Sequence, residues 1–169
     1  MSILTGNEIL KAMKKGKIKI SPFSPEQLGP ASVDLTLGNK FRVFKKLKGV
    51  PDINDSFDYR QLSDPVTSDS IIIKPQETVL AITKERITLA DDICGWLEGR
   101  SKFARMGLLV HISAPFMQPG IDNYPVLEIS NMGKNPVQLH AGTRICQFIF
   151  EKSEGKAKYV GRFSQQTEP

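Results

Sequence analysis

The sequence predicts a mainly β fold, a barrel or sandwich, with one helix near the N-terminus and one short internal helix. From position 70 onward short apolar segments follow one another: "SIIIK", "TVLAITKERITL", "ICGWLEG", "LLVHISA", "VLEIS", "VQLHA" and "RICQFIF". Turns rich in Pro, Gly, Asn or Asp separate them, with no long helical stretch between, which is the pattern of an all-β domain. Ahead of them, "ASVDLTLG" alternates Val33, Leu35 and Leu37 with Asp34 and Thr36, a half-buried strand. No unit of about 20 to 50 residues repeats, so a solenoid or propeller is excluded.

The elements follow in order. In "TGNEILKAMKKG", Thr5 with Glu8 three residues on predicts a capping box; Ile9, Leu10 and Met13 share one side, and Gly16 stops the helix. Pro22, Pro25 and Pro30 predict turns. Residues 45–70, rich in Asp, Ser, Lys and Pro, read mainly as an irregular excursion. In "GRSKFARMG", Ser101 is the expected N-cap of a short helix holding Phe103 and Ala104, which Gly107 ends. The polar end "GKAKYVGRFSQQTEP" is expected to be mobile over residues 156–169.

A chain of 169 residues, 40% hydrophobic and 24% charged, fits one globular domain with a core of its own. It has no apolar run of the about 20 residues that span a bilayer, so no membrane partner is expected. The N-terminus lacks the apolar stretch and cleavage site of a secretory signal, and Cys94 and Cys146 sit in apolar settings as buried thiols; a cytoplasmic location is expected. The net charge of +5 suits an anionic partner. The lysine runs "KAMKKGKIK" and "FKKLKG" contain few aromatics, which favours a solubilising face and a small phosphate ester over nucleic acid.

Two segments carry candidate chemistry. In "PVLEISN", Val126, Glu128 and Ser130 share one face of a strand, and Leu127 and Ile129 share the other. Glu128 is either a solvated strand residue or, if its face lines a cleft, a general acid/base. In "GRSKFARMG", Gly99 permits close backbone approach, and a helix start flanked by Arg100 and Lys102 combines free N–H groups with positive charge, a setting for phosphate. The competing reading is a capped surface helix with incidental charge.

Taken together, "GRSKFARMGLLVHISA", the "QPG" that begins ten residues before Glu128, "VLEISNMG" and "AGTRICQFIF" resemble the dCTP deaminase branch of the dCTP deaminase/dUTPase superfamily. The opening helix, "PASVDLTLGNKF" and "YVGRFSQQ" also look like that branch, so the resemblance covers nearly the whole chain. It implies a distorted dUTPase-like β-barrel, a homotrimer with sites between subunits, and hydrolytic deamination of dCTP to dUTP and ammonia. By the same resemblance Glu128 is the proton shuttle, Ser101 holds the nucleophilic water and Arg105 supports both. Arg100, Ser101 and Lys102 fall on the triphosphate-binding turn. Ile112, Ser113 and Ala114 match the segment whose backbone reads the pyrimidine edge. Tyr159, Arg162 and Gln166 match residues of a lid that folds over the triphosphate. The chemistry suits one carboxyl group, since cytosine C4 needs N3 protonated and the amine leaves only when protonated; such a site must be dry enough to keep that group partly protonated. The zinc route needs a His or Cys beside Glu and a P-C-x-x-C pair, which Cys94, Cys146, His111 and His140 do not supply. The expected metal is Mg²⁺ carried by the substrate triphosphate.

The chain departs from the family at Gln118, where relatives have an aspartate that contacts the 3′-hydroxyl and, in diphosphatases, activates water. Glutamine can hydrogen-bond a hydroxyl but is no base. The tail ends soon after Gln166 and Pro115 adjoins the pyrimidine-reading segment; at both places the pocket is expected to differ. The rival functions are a dUTP diphosphatase or bifunctional enzyme, with Asp122 as substitute base, and a non-catalytic nucleotide-binding regulator.

Overall fold

The periodicity of "VDLTLG" continues further than its first six residues, into a twelve-residue strand around which the other elements are hung. In the computed structural model, which describes residues 2–169, the elements run β1 (Ser2–Ile3), α1 (Gly6–Lys14), β2 (Ile18–Ser21), β3 (Val33–Phe44), β4 (Ser63–Thr67), β5 (Ser70–Ile73), β6 (Thr78–Thr83) and β7 (Arg86–Leu89). There follow β8 (Ile93–Gly99), α2 (Ser101–Ala104), β9 (Leu108–Val110), β10 (Phe116–Met117), β11 (Asp122–Asn123), β12 (Val126–Asn131), β13 (Val137–His140) and β14 (Arg144–Lys152). Nine strands form one antiparallel sheet in the order β10-β8-β14-β3-β6-β12-β9, with β1 added to β14 and β4 to β3. The remainder pair as β11-β7-β2 and β13-β5. The mainly β barrel with two helices is as expected.

The core forms where the inward faces of these strands meet. Val33, Leu35 and Leu37 of β3 are fully buried, and Phe41 nearly so; Ile145, Phe148 and Phe150 of β14 face them. Phe148 and Phe150 stack at 4.4 Å between ring centroids. Burial of each such side chain is worth about 1.5–3 kcal/mol. β14 lies between β8 and β3 and presses closely on β8. A Cβ at Gly95 would fall 2.3 Å from the Ile149 carbonyl oxygen, so only glycine fits there.

Several expectations need correcting. Thr5 does occupy the N-cap of α1, but its side chain makes no cap bond, and Glu8 turns to Lys11 at 2.7 Å, so the capping box is absent. Of its apolar side, Ile9 and Ala12 are buried, with Met13 packed against the core. Gly16 ends the turn at φ +69°. Ser101 is the first residue of α2 rather than its cap; Arg100 takes the N-cap position. The excursion at 45–70 is only partly irregular, since β4 pairs along β3 from Lys40 to Phe44. β2, hidden in the lysine-rich stretch, buries Ile18 and Ile20 against β7. "TVLAITKERITL" is two strands in two sheets, broken at Lys84 and Glu85. Cys94 and Cys146 are free and buried, and burial pushes the Cys146 thiol up.

That break is held by a buried polar clasp. Glu85 is 1% exposed, and its carboxylate accepts from the Gln27 amide at 2.7 Å and from the Thr36 N–H at 2.8 Å. Gln27 also donates to the Asp34 carbonyl at 2.9 Å, fixing the proline-bounded turn Pro25–Gln27 to β3. A buried carboxylate deprived of a donor is expensive. Gln27→Leu is therefore expected to cost about 2–3 kcal/mol, and the double variant Gln27→Leu/Glu85→Leu to recover part of it. Denaturant unfolding of the three proteins checks this; equal losses in the single and double variants would show that the clasp carries no charge penalty.

Candidate active site

β12 is paired on both sides, with β6 along Val126–Ser130 and with β9 along Ile129–Asn131. Its pleat sends Leu127 and Ile129, both fully buried, into the core. Val126 and Glu128 point the other way, half-buried, with Leu80 of β6 directly opposite Glu128. This face is only partly open to solvent. It forms the wall of a cavity of about 640 Å³, mostly apolar and aromatic, closed in part by Phe44, Tyr59, Phe116, Tyr159 and Phe163. Among the described residues Glu128 is the one carboxylate on that wall.

The carboxylate is held from one side. Glu128 Oε2 accepts from the Ser113 backbone N–H at 3.1 Å and from the Ser113 hydroxyl at 3.3 Å. Among the described residues none bonds Oε1, so one oxygen is anchored while the other can meet a ligand. The segment that does this leaves β9 through His111, a non-glycine residue at φ +62°. His111 Nδ1 accepts a long bond, 3.4 Å, from the Glu128 N–H, and its Nε2 is buried without a partner. Nothing local marks His111 as a neighbour of Glu128, because the left-handed turn that brings it there has no glycine.

Seven of the predicted residues meet on this cavity: Glu128, Ile112, Ser113, Ala114, Gln118, Tyr159 and Gln166. Five do not. Arg100 donates to the Arg144 carbonyl at 2.7 Å and pairs with Asp34 at 3.0 Å, so its charge is largely engaged. Ser101, Lys102 and Arg105 are exposed on or just after α2, off the cavity wall. Arg162 is exposed and lies 4.0 Å from Asp58. Asp122 is also off the wall: Arg86 grips it at 2.8 and 2.9 Å, and Thr88 donates to it at 2.7 Å. Partial burial pushes its carboxyl up, but the hydrogen bonds from Thr88 and Arg86 outweigh that and hold it below the usual range.

The tail folds back along residues 119–124. Tyr159 N–H donates to the Pro119 carbonyl at 2.9 Å, Asp122 N–H to Ser164 at 3.3 Å and Tyr124 N–H to Gln166 at 3.2 Å. Asn123 donates from its side chain to the Phe163 carbonyl at 2.8 Å, and Gln166 from its own to the Tyr124 carbonyl at 3.1 Å. Tyr59, from the excursion, approaches Phe163 with ring centroids 6.3 Å apart. Sequence reasoning overlooked Asn123, Tyr59 and Phe163 as wall residues; only proximity in the chain to "QPG" and to the tail pointed at the first and last. Among the described residues no three His, Cys, Asp or Glu side chains converge in a way that could hold a metal ion, and no helix is long and apolar enough to cross a membrane.

Residues 3–153 match the family model described as dCTP deaminase-like. The chain belongs to that family. The dCTP deaminase, dUMP-forming, of Methanobrevibacter smithii is 38% identical over 156 residues, covering 89% of this chain and 80% of that protein. Among solved structures, the 2′-deoxycytidine 5′-triphosphate deaminase of Agrobacterium tumefaciens superposes with a TM-score of 0.67 at 22% identity. The match covers 88% of this chain but only 47% of that one, so the chain spans about half its length. A Staphylococcus bacteriophage 80alpha dUTPase shares the fold more distantly, with a TM-score of 0.53 at 12% identity over 86% of this chain and 97% of its own. In this dCTP deaminase-like chain the anchoring of Glu128 is directly testable. Ser113→Ala removes the hydroxyl donor and keeps the backbone one, so catalytic turnover is expected to fall about tenfold with KM nearly unchanged, and Ser113→Thr to restore most of it. Steady-state kinetics on dCTP check this.

Proposed function

We propose that this chain deaminates dCTP hydrolytically, with Glu128 as the proton carrier. The observation that carries the reading is the position of Glu128, alone among carboxylates on an apolar cavity wall and anchored through one oxygen by Ser113. Water adds its oxygen to C4 of the cytosine while Glu128 takes one of its protons and passes it to N3. Glu128 then takes the second proton from the hydroxyl now on C4 and gives it to the amino nitrogen; the C4–N bond breaks, C4=O forms, and ammonia leaves. Of the two water protons, one ends on N3 of the uracil and the other on ammonia, so a single carboxyl group in two protonation states suffices. The Ile112–Ala114 segment forms the adjoining wall, where its backbone can read the pyrimidine edge.

Ser101 and Arg105, to which the family resemblance gives the water and its support, are off this wall in one chain. The proposal supplies them, with Arg100 and Lys102, from a neighbouring copy in a homotrimer, so that each site is completed across an interface. Among the described residues no donor set fits a protein-held metal, and Mg²⁺ would be carried by the triphosphate oxygens of the substrate. The tail from 156 to 169 serves as a lid, with Tyr159 and Gln166 already on the wall and Arg162 swinging in from beside Asp58.

The proposed product is dUTP. Hydrolysis of dUTP needs a carboxylate to activate water at the α-phosphorus; Gln118 stands in that position, and Asp122 is committed to Arg86 and Thr88. A second reading, formation of dUMP, is favoured by the name of the Methanobrevibacter relative. Two experiments test these statements. Glu128→Gln, assayed with Mg²⁺ present and zinc chelated, is expected to lose deamination by at least about 10³-fold while still binding dCTP; retention of most of the wild-type rate would return Glu128 to an ordinary strand residue. Chromatography of products from dCTP and from dUTP is expected to show dUTP accumulating with wild type and some dUMP appearing with Gln118→Asp. Pyrophosphate release by wild type at the deamination rate establishes the second reading instead.

A further inference from the structure

Asn123 stands where the cavity meets the tail, and the mechanism above gives it no task. It ends β11 opposite Ile87 of β7 and is 4% exposed. Its side-chain NH₂ donates to the Phe163 carbonyl at 2.8 Å. A carbonyl only accepts, so the amide nitrogen must lie on the tail side and Oδ1 on the other. Oδ1 is buried without a partner, and the residue belongs to the wall of the Glu128 cavity. Buried amide oxygens are nearly always satisfied, so this one calls for a donor that arrives with a ligand.

The chemistry of the ligand says which donor. A deoxycytidine triphosphate offers two kinds of hydrogen-bond donor, the 4-amino group and the 3′-hydroxyl; its phosphates only accept and would be repelled by an amide oxygen. The amino group has to lie at Glu128, where it leaves as ammonia. The hydroxyl remains; Gln118 on the same wall can donate its NH₂ to the hydroxyl oxygen, which leaves the hydroxyl proton for a second, accepting group. We propose that the Asn123 carboxamide joins tail docking to recognition of the nucleotide sugar, its NH₂ holding the Phe163 carbonyl and its Oδ1 accepting the deoxyribose 3′-hydroxyl. The proposal rests on the reading of the cavity as a dCTP site.

Coupling follows from the two ends of one rigid, planar amide. The bonds on either side of Asn123, Asp122 N–H to Ser164 and Tyr124 N–H to Gln166, are longer at 3.3 and 3.2 Å than the 2.8 Å bond that Asn123 itself makes to the tail. A hydroxyl on Oδ1 fixes the amide plane and firms the contact to Phe163. Reciprocally, a docked tail presents Oδ1 to the sugar. A nucleotide without a 3′-hydroxyl should therefore enter the cavity but leave the tail loosely attached.

The test compares wild type, Asn123→Ala and Asn123→Asp on dCTP and on 2′,3′-dideoxycytidine triphosphate. Loss of the hydroxyl is expected to lower kcat/KM at least about tenfold in wild type and no more than about threefold in Asn123→Ala. Asn123→Asp keeps an acceptor oxygen and loses the NH₂, so it should still discriminate between the two substrates while its Asp122 and Tyr124 amides exchange faster with solvent. Equal discrimination in wild type and Asn123→Ala overturns the proposal. Should Asn123→Ala fail to fold, hydrogen exchange on wild type decides: dCTP must slow exchange at Asp122 and Tyr124 more than the dideoxy analogue does, and equal slowing overturns the proposal. The two levels separate cleanly. Wild type that neither binds nor turns over dCTP sinks the site reading and this inference with it, whereas wild type that turns over dCTP with Asn123-independent discrimination sinks the inference alone.

Discussion

The pleat of β12 is the constraint from which the site follows. A strand has two faces, and here both are committed: Leu127 and Ile129 complete the core, while Val126 and Glu128 face the cavity. Pairing to β6 on one side and β9 on the other leaves no freedom of register. A slip of one residue would place the Glu128 carboxylate in the core and Leu127 in the cavity, at a cost of several kcal/mol for the unpaired charge alone. The aliphatic residues of this strand thus aim its carboxylate, and the energy that fixes the aim comes from the face that has no part in the chemistry.

Two polar contacts, one buried and one partly exposed, extend that order to the chain around the barrel. The Glu85–Gln27 clasp ties the proline-bounded turn to β3, and Asp34, the residue whose carbonyl Gln27 also holds, pairs through its side chain with Arg100 at the head of α2. Arg144 continues the line, with its carbonyl on Arg100 and its guanidinium on the Glu26 carbonyl at 2.6 Å. The turn that bears Ser101 and Lys102 is therefore braced from beneath through β3 and β14 rather than by its own four-residue helix, which is too short to be stable alone. Pairing with Asp34 at 3.0 Å fixes where Arg100 sits on that turn.

How much of this was legible in the sequence depends on how far apart the partners lie. Strands with a clean alternation, such as Val33–Leu37, and apolar runs bounded by turn residues could be read locally. β2 could not, because Lys17 and Lys19 mask Ile18 and Ile20, which take meaning only against β7. β4 was obscured by Pro65, which an edge strand tolerates. The capping box failed because Glu8 had a second partner, Lys11, within reach. For the site, Ile112, Ser113, Ala114, Gln118, Tyr159 and Gln166 line one cavity with Glu128, whereas the engagement of Arg100 by Asp34 and the turn at His111 arise from contacts between distant segments. Motif spacing carries no record of either.

The docked tail has a further consequence, for the sheet rather than for the nucleotide. β11 is bonded on one side to β7, and its other side would present bare N–H groups at Asp122 and Tyr124 if Ser164 and Gln166 did not receive them. The tail thus guards a sheet edge of the kind through which β proteins join one another unspecifically. Removing it would expose that edge together with Tyr59, the ring against which Phe163 packs, aromatic surface that water does not favour. Clumping and lost turnover would then arrive together, and a shortened chain that fails to work would say little about which of the two had come first.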